Sequence, residues 1–304
     1  MATLADEVSI QCIKRYMTTE LCRRVNLDLI NAPLFVTSKS RINDHLNSDT
    51  RIVSFQAKDG TDFEVVQSTA KWKRQRIAQL NVKEGSGIVV DMKAIRCDED
   101  LTPIHSYLVD QWDWEFRIPQ RDRTLQTLIT KADQVYSAVK STIDYAQLLV
   151  PELSKVLLPP NLKVVDTLEL EQLYPLLTPK EREYEITKQY QAVLLTRIGY
   201  RHDKRAFDYD DYQLNADIIV WSDVLNLPIE LSSMGVRVDS KAMVQQYLHC
   251  FPEASVPVSD LSSYHKDICY DALPFTIGGG IGQSRLLMFA LQKFHISDVQ
   301  APTQ

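Results

Sequence analysis

No stretch of this chain has the features of a secreted or membrane protein. No apolar run approaches the roughly 20 residues that a membrane-spanning helix needs. The N-terminal sequence MATLADEVSIQ lacks both the basic start and the apolar core of a secretory signal. We therefore expect a cytoplasmic protein that does not bind a membrane.

The chain also lacks an excess of positive charge. Its 304 residues contain 34 Lys and Arg against 40 Asp and Glu, which gives a formal net charge of -6 at pH 7. Non-specific binding to a polyanion requires a basic surface. Nucleic acid is therefore not an expected partner.

Cysteine and histidine patterns exclude two further classes of protein. The five cysteines are scattered and never form a C-x-x-C pair, and the six histidines show no H-x-x-x-H spacing. The cysteines are Cys12, Cys22, Cys97, Cys250 and Cys269. We predict reduced, structural cysteines, with neither a disulfide framework nor a zinc site.

The composition is that of a globular protein with a sizeable core. Hydrophobic residues make up 44% of the chain, and it contains no repeat, low-complexity tract or obvious flexible linker. We predict a single domain that spans residues 1–304 and is large enough for a catalytic domain.

The order of apolar patterns predicts the fold class. Apolar residues at three- and four-residue steps between Val8 and Leu21 predict an amphipathic first helix, and a second long helix is predicted from Leu125 to Leu149. Two β segments, Ile88 to Arg96 and Tyr107 to Ile118, are close in sequence, which favours an antiparallel pair. Short apolar runs after residue 192 predict further strands. This order is typical of an α+β fold with helices flanking a largely antiparallel sheet.

Polar and aromatic residues alternate in the second of these β segments. Alternation along a strand places Gln111, Asp113 and Glu115 on one face, with Trp112 and Trp114 on the other. Two interpretations stay open: a solvated face over a tryptophan-packed core, or three polar groups that converge on a ligand.

A glycine-rich segment lies near the C-terminus. Residues 276–285 contain four of the nine glycines, and we interpret them as a turn that opens a helix near Gln283. Such a turn lets backbone approach a phosphate, and Arg285 is suited to bind phosphate or stack on a base. The segment matches neither a P-loop nor a dinucleotide fingerprint. A purely structural turn is the alternative.

Acidic residues recur between Asp208 and Glu230. Carboxylates of this kind bind magnesium, usually one or two at a time, and Asp217 is notable because it adjoins an apolar strand. A solvated acidic loop is the alternative for residues 208–211. Two interpretations of Lys71 and Lys73 also stay open: a basic, solvated helix face, or a pair of cations that binds the substrate.

Six colinear blocks carry a resemblance to a known family. They are Phe63 to Gln75, Met92 to Asp100, Val109 to Glu115, Asp208 to Asp211, Glu230 to Arg237 and Thr276 to Leu286. In this order they resemble asparagine synthetase A, the ammonia-dependent aspartate ligases. The resemblance implies a class II aminoacyl-tRNA synthetase-like core. It also implies a homodimer, because Pro33 matches the proline of the motif at the dimer interface.

The resemblance also implies roles for individual residues. Those implied to bind the nucleotide are Arg96, Asp98, Glu99, Gln111, Gly280, Gly282 and Arg285, and those implied to bind magnesium are Asp217, Glu230 and Ser233. The residues implied to bind the amino acid are Lys73, Gln111, Asp113, Asp210, Ser232 and Arg237. Arg96, Lys73, Asp44 and Asp210 are the implied catalytic residues.

The implied reaction converts L-aspartate, ATP and ammonia into L-asparagine, AMP and diphosphate through a β-aspartyl-adenylate, with Mg²⁺ as cofactor. Ammonia must attack as the neutral amine, so a carboxylate has to remove a proton from ammonium, and Asp44 and Asp210 are the two candidates. Two other functions stay open. One is an aspartate-adenylating relative of aspartyl- or asparaginyl-tRNA synthetase with another acceptor, and the other is a non-catalytic module that senses asparagine or AMP.

Overall fold

An eight-stranded sheet forms the centre of the fold in a computed structural model that describes residues 3–44, 51–199, 206–253 and 262–302. Its strands, in chain order, are β1 (Leu27–Ile30), β5 (Gly87–Ile95), β6 (Leu108–Arg117), β7 (Lys163–Asp166), β8 (Ala192–Thr196), β9 (Asp210–Ser222), β10 (Leu227–Arg237) and β11 (Thr276–Gly282). A small second sheet contains β2 (Phe35–Thr37), β3 (Ser54–Gln56) and β4 (Asp62–Val65).

The strands of the large sheet lie in the order β1-β5-β6-β11-β10-β9-β8-β7. The neighbours from β5 to β8 are antiparallel, while the two edge pairs, β1 with β5 and β7 with β8, are parallel. The predicted antiparallel pair is therefore correct, and so is the predicted largely antiparallel sheet. The C-terminal strand β11 enters the middle of the sheet, where it joins β6 to β10.

Helices flank the sheet: α1 (Leu4–Val25), α2 (Ala70–Gln79), α3 (Leu125–Leu149), α4 (Thr167–Leu173), α5 (Pro179–Tyr190), α6 (Ser240–Cys250), α7 (Ser263–Cys269) and α8 (Gln283–Ala290). The longest of them have local start signals. Thr3 and Asp6 form a capping box at the start of α1, and the Thr124 side chain accepts a hydrogen bond from the first turn of α3. Within the described residues, no helix is long and apolar enough to cross a membrane.

The two faces of β6 differ as the alternation predicts. Trp112 and Trp114 are buried in the main hydrophobic core with residues of α1 and α3, and the Trp112 indole donates to the Thr18 hydroxyl at 2.9 Å. Asp113 and Glu115 point to the opposite face, where they meet cations. One face of the sheet is thus an apolar core and the other carries charge. The core includes residues from Ile10 to Val299.

The glycine-rich segment is a strand, which corrects the prediction of a turn. β11 pairs with β6 along its whole length and with β10 from Ile277 to Ile281, and α8 begins only after Gly282. The glycines are needed because neighbouring side chains occupy the space above them. A Cβ added to Gly278 would lie 2.1 Å from Glu115 Oε2, and one added to Gly280 would lie 2.4 Å from Gln111 Oε1.

A buried lysine in the core leads to a prediction about stability. Lys131 of α3 places its Nζ 3.3 Å from the centroid of the Phe116 ring, and burial lowers the pKa of Lys131 to about 8. The unfolded chain therefore binds more protons between about pH 8 and pH 10.5, and stability rises with pH across that window. Below pH 8 the full cost of burying the charge is present.

We expect Lys131→Met to raise the free energy of unfolding by roughly 1 to 2 kcal/mol at pH 7, because Met fills similar space without charge. The gain should shrink when the pH approaches 10. Urea denaturation at pH 7 and pH 9.5 measures both effects, with the exposed Lys83→Met as the control. A Lys131→Met variant less stable than the wild type at pH 7 would contradict this account.

Candidate active site

A cavity of about 310 Å³ opens on the charged face of the sheet. The ends of β5, β6, β10 and β11 form it together with the start of α8. Eight of the residues predicted from sequence line it: Arg96, Glu99, Gln111, Glu230, Ser233, Gly280, Gly282 and Arg285. Residues that are far apart in the chain therefore converge on one space, as the sequence prediction requires.

Two guanidinium groups face this cavity. Arg285 Nη1 donates to the Glu230 carbonyl at 3.2 Å and lies 3.7 Å from Glu230 Oε2. Burial lowers the pKa of Arg96, the neighbouring Arg285 lowers it further, and Glu99 opposes both. Two cations so placed favour a polyanion.

A network of buried ion pairs lies next to the cavity. Arg237 binds Glu115 through two nitrogens, with Nη2 2.7 Å from Oε2 and Nε 3.0 Å from Oε1, and it also pairs with Asp210. Lys73 pairs with Asp113 and lies 3.9 Å from Glu115. Burial favours the neutral acid, but Arg237 and Lys73 outweigh it and lower the pKa of Glu115. The network thus contains three carboxylates and two cations, which gives it one formal negative charge in excess.

The first turn of α2 joins this network to Asp44. Thr69, just before the helix, donates its hydroxyl proton to Asp113, while Asp44 Oδ2 accepts from the backbone N–H of Ala70 at 2.8 Å. Asp44 has no exposed surface. Burial raises the pKa of Asp44 to about 6, and nearby Lys71 limits the rise. A carboxyl group that titrates near neutral pH is suited to exchange protons with a ligand.

Three side chains with oxygen atoms that could bind a metal ion lie at the β9 and β10 end of the site. Asp217 and Ser233 are direct cross-strand partners, and Glu230 lies on the same face because its partner Ile219 is two residues from Asp217. In the described ranges, no three acidic, His or Cys side chains form a complete metal cage. This set fits Mg²⁺, which usually takes one or two carboxylates and completes its shell with water and phosphate.

Two predicted residues lie elsewhere. Ser232 is on the opposite, apolar face, contrary to the prediction of substrate contact. The β-bulge between Glu230 and Ser232 reverses the alternation, so that Ser232 shares the face of the core residues Ile218 and Ile281. Asp98 does not line the cavity, since its carboxylate binds Arg51 at 2.8 Å while Glu99 turns inward.

Sequence reasoning missed several charged groups near the site. Glu115 lies on the same predicted face as Asp113, but the family resemblance implies no individual role for it. Lys71 is only 4% exposed and pairs with Asp208, so it does not belong to a solvated helix face. Burial, with Glu230 and Asp217 nearby, raises the pKa of Glu183 to about 7. Neither this glutamate nor His265 stands in a pattern that marks it in the sequence.

The fold is that of a class II aminoacyl-tRNA synthetase core. A structure of asparaginyl-tRNA synthetase from Pyrococcus horikoshii, complexed with asparaginyl-adenylate, superposes with a TM-score of 0.73 over 97% of this chain and 68% of that chain, at 14% identity. Aspartyl-tRNA synthetase from Entamoeba histolytica gives a TM-score of 0.67 over 98% of this chain and 58% of that chain, at 13% identity. The predicted fold class is confirmed.

Sequence comparison identifies the family. The family model described as aspartate-ammonia ligase matches residues 4–303. Aspartate–ammonia ligases from Fusobacterium nucleatum and Ruminiclostridium cellulolyticum are each 44% identical, covering 98% and 97% of this chain and 91% and 89% of the relatives. That from Bacillus cytotoxicus is 42% identical over 99% of this chain and 93% of the relative. The chain belongs to the aspartate–ammonia ligase family, which confirms the resemblance.

The pair between Arg237 and Glu115 gives a testable consequence. We expect Glu115→Gln to lower the free energy of unfolding by about 2 to 4 kcal/mol at pH 7, because it removes the charged partner that a buried guanidinium binds through two nitrogens and leaves it paired with Asp210 alone. Because the folded-state pKa of Glu115 is lowered, the contribution of its charge is present above about pH 4.5 and is lost as the pH falls below that.

Urea denaturation at pH 7 and pH 4 measures this difference, and the exposed Glu84→Gln serves as the matched control. The difference between wild type and Glu115→Gln should be smaller at pH 4. A pH-independent difference would mean that packing, rather than charge, holds Glu115 in place.

Proposed function

We propose that the protein joins ammonia to the β-carboxylate of L-aspartate, using ATP and releasing AMP and diphosphate. The observation that carries this proposal is the adjacency of two sites on β6. Gln111 lines the cavity that holds Arg96 and Arg285, and Asp113, two residues further along the same face, pairs with Lys73. An anionic nucleotide and a small charged amino acid can therefore lie side by side.

Activation of the carboxylate is the first chemical requirement. A carboxylate resists attack by ammonia because its carbon is electron-rich and its oxygen is a poor leaving group, so it is first converted to a mixed anhydride with AMP. Charge builds up on the α-phosphate when the β-carboxylate attacks. Arg96 stabilises that charge in a partly enclosed cavity, and one such group contributes several kcal/mol. Arg285 lies against the base and the outer phosphates.

Asp217, Glu230 and Ser233 would hold Mg²⁺. The ion, when bound, neutralises charge on the phosphates and on departing diphosphate. Their oxygens suit this hard cation, and they lie on the face that also bears the arginines.

Selection of the β-carboxylate depends on orientation. Lys73 and Arg237 bind the α-carboxylate and keep their contacts with the protein carboxylates. Asp113 pairs with the α-ammonium group. The excess negative charge of the network favours that ammonium group. The other end of aspartate then points toward the arginine-lined cavity, where the α-phosphate lies.

Asp44 is the better candidate to remove a proton from ammonium. Its carboxyl group titrates near pH 6 and has an oxygen without a hydrogen-bond partner among the described residues. Asp210 is bound to Arg237 and is better suited to hold that arginine in place. Asp210 belongs to the network of buried ion pairs, and Asp44 lies close to it.

We also propose a cytoplasmic homodimer. Pro33 lies between β1, which is an edge strand of the large sheet, and β2. Three large apolar side chains in this region are exposed: Leu29 by 57%, Leu34 by 54% and Phe35 by 43%. A second copy would cover them.

The product assay distinguishes this function from its rivals. With aspartate, ATP, Mg²⁺ and ammonium, we expect asparagine and AMP to form in equal amounts. Addition of tRNA should neither replace ammonium nor stimulate AMP release. AMP release that depends on tRNA would instead support a synthetase-like acceptor, and tight AMP or asparagine binding without turnover would support a sensor.

Separate assays of the two half-reactions test the base. We expect Asp44→Asn to slow amide formation about 100-fold or more, with a loss of less than about 10-fold in adenylate formation, which is followed by ATP–diphosphate exchange. Asp210→Asn should impair both half-reactions, since it loosens Arg237. The exposed Asp59→Asn is the control. Equal losses in both half-reactions for Asp44→Asn would reject its role.

A further inference from the structure

A chain of three ionisable residues, Lys71, Asp208 and His265, lies beside the proposed base. Lys71 Nζ lies 2.6 Å from Asp208 Oδ2, and His265 Nε2 donates to the same oxygen at 2.8 Å. Lys71 and Asp208 are each 4% exposed, and the His265 side chain is 16% exposed. The chain thus extends from the interior toward the surface along the first turns of α2 and α7. Neither the nucleotide nor the amino-acid site uses it.

Lys71 connects this chain to Asp44. The backbone N–H of Lys71 points to Asp44 Oδ2 at 3.4 Å, while its side chain reaches Asp208. Burial disfavours the ammonium form, but Asp208 and Asp44 outweigh it and raise the pKa of Lys71. Burial likewise favours neutral Asp208, yet Lys71 and His265 lower the pKa of Asp208 to about 2. The lysine is therefore charged and the aspartate ionised throughout the working pH range.

The charges of the cluster link Asp44 to His265. With Lys71 positive and Asp208 negative, the pair is neutral, and ionised Asp44 leaves one negative charge unless the imidazole is protonated. Other groups that face Asp44 are Ser68 and Arg237, and Arg237 is already occupied by Glu115 and Asp210. His265 faces Asp208 and the rings of Phe207 and Tyr264. An imidazole that carries a proton on both ring nitrogens would supply the positive charge that this cluster lacks.

We propose that His265 is a positioning residue for deprotonation of ammonium: through Asp208 and Lys71 it balances the negative charge of Asp44. This inference rests on the proposed function, in which Asp44 breaks an N–H bond of ammonium and takes the proton, leaving neutral ammonia. A positively charged imidazole compensates the negative charge of Asp208. The positive charge of Lys71 then stabilises ionised Asp44 more strongly. His265 itself does not touch the substrate.

Variants of the cluster should move the pH profile in opposite directions. Amide formation falls on the acid side when Asp44 becomes protonated. His265→Gln removes positive charge and should move this acid limb up by roughly 0.5 to 1 pH unit. Asp208→Asn removes negative charge and should move it down by a similar amount. His265→Lys provides a permanent cation and should move the acid limb down or leave it in place. This variant takes the place of Asp208→Asn in the comparison if Asp208→Asn does not fold.

The test measures amide formation in single turnovers of preformed adenylate against ammonium between pH 5 and pH 9, with ATP–diphosphate exchange as the parallel readout of adenylate formation. The exposed His295→Gln controls for loss of a histidine. We expect opposite shifts for His265→Gln and Asp208→Asn in amide formation, and shifts below about 0.2 pH unit in exchange. A purely structural role would lower rates without moving the limb.

Unchanged acid limbs, or shifts of the same sign in His265→Gln and His265→Lys, would overturn the proposal. The Asp44→Asn variant separates this failure from that of the function itself. If Asp44→Asn leaves amide formation intact, the proposed base is wrong and the role of His265 falls with it. If Asp44→Asn acts as proposed and the limb does not move, only the role of His265 is wrong.

Discussion

The pair between Glu115 and Arg237 is the interaction on which the site depends. Glu115 lies on β6 and Arg237 on β10, and these strands are separated by β11, so the pair must cross over the middle strand. It can do so because Gly278 lies between them. A Cβ there would lie 2.1 Å from Glu115 Oε2 and 2.5 Å from Arg237 Nη2. The glycines of β11 thus form the floor of a trough, and the charged side chains of both neighbours close over it.

The same trough separates charge in a way that matches two different ligands. At one end Arg96 and Arg285 share a cavity with Glu99 and Glu230, so two cations and two carboxylates lie there together. At the other end two cations meet three carboxylates in a buried network. Gly280 lies between the two ends, where a Cβ would meet Gln111. This arrangement is the basis of the proposal that a nucleotide and a zwitterion bind side by side.

The sequence predicted those features that depend on local pattern. The long helix from Leu125 to Leu149 has the predicted bounds, and the alternation of Trp112 and Trp114 with Asp113 correctly predicted the two faces of β6. Errors arose where a neighbouring strand decides the structure. Clustered glycine is a turn signal in isolation, but between two strands that carry long charged side chains it is what allows a central strand to fit.

Two further differences have the same cause. Ser232 faces the core because of a bulge that depends on the pairing of β10 with β9, and no residue type at that position marks it. The resemblance supplied positions for the cavity residues but could not supply Glu115 as the anchor of Arg237. Such anchoring becomes visible only when the distance between two strands is known.

Helix α2 shows how these local constraints become one site. Lys71 and Lys73 are two residues apart, so they point to nearly opposite sides of a helix, and a surface helix would expose at least one of them. Both are buried, because Lys71 pairs with Asp208 on one side of the helix and Lys73 pairs with Asp113 on the other. The first turn of α2 also binds Asp44 through backbone N–H groups. A shift of this helix would therefore disturb the network of buried ion pairs and the proposed base together.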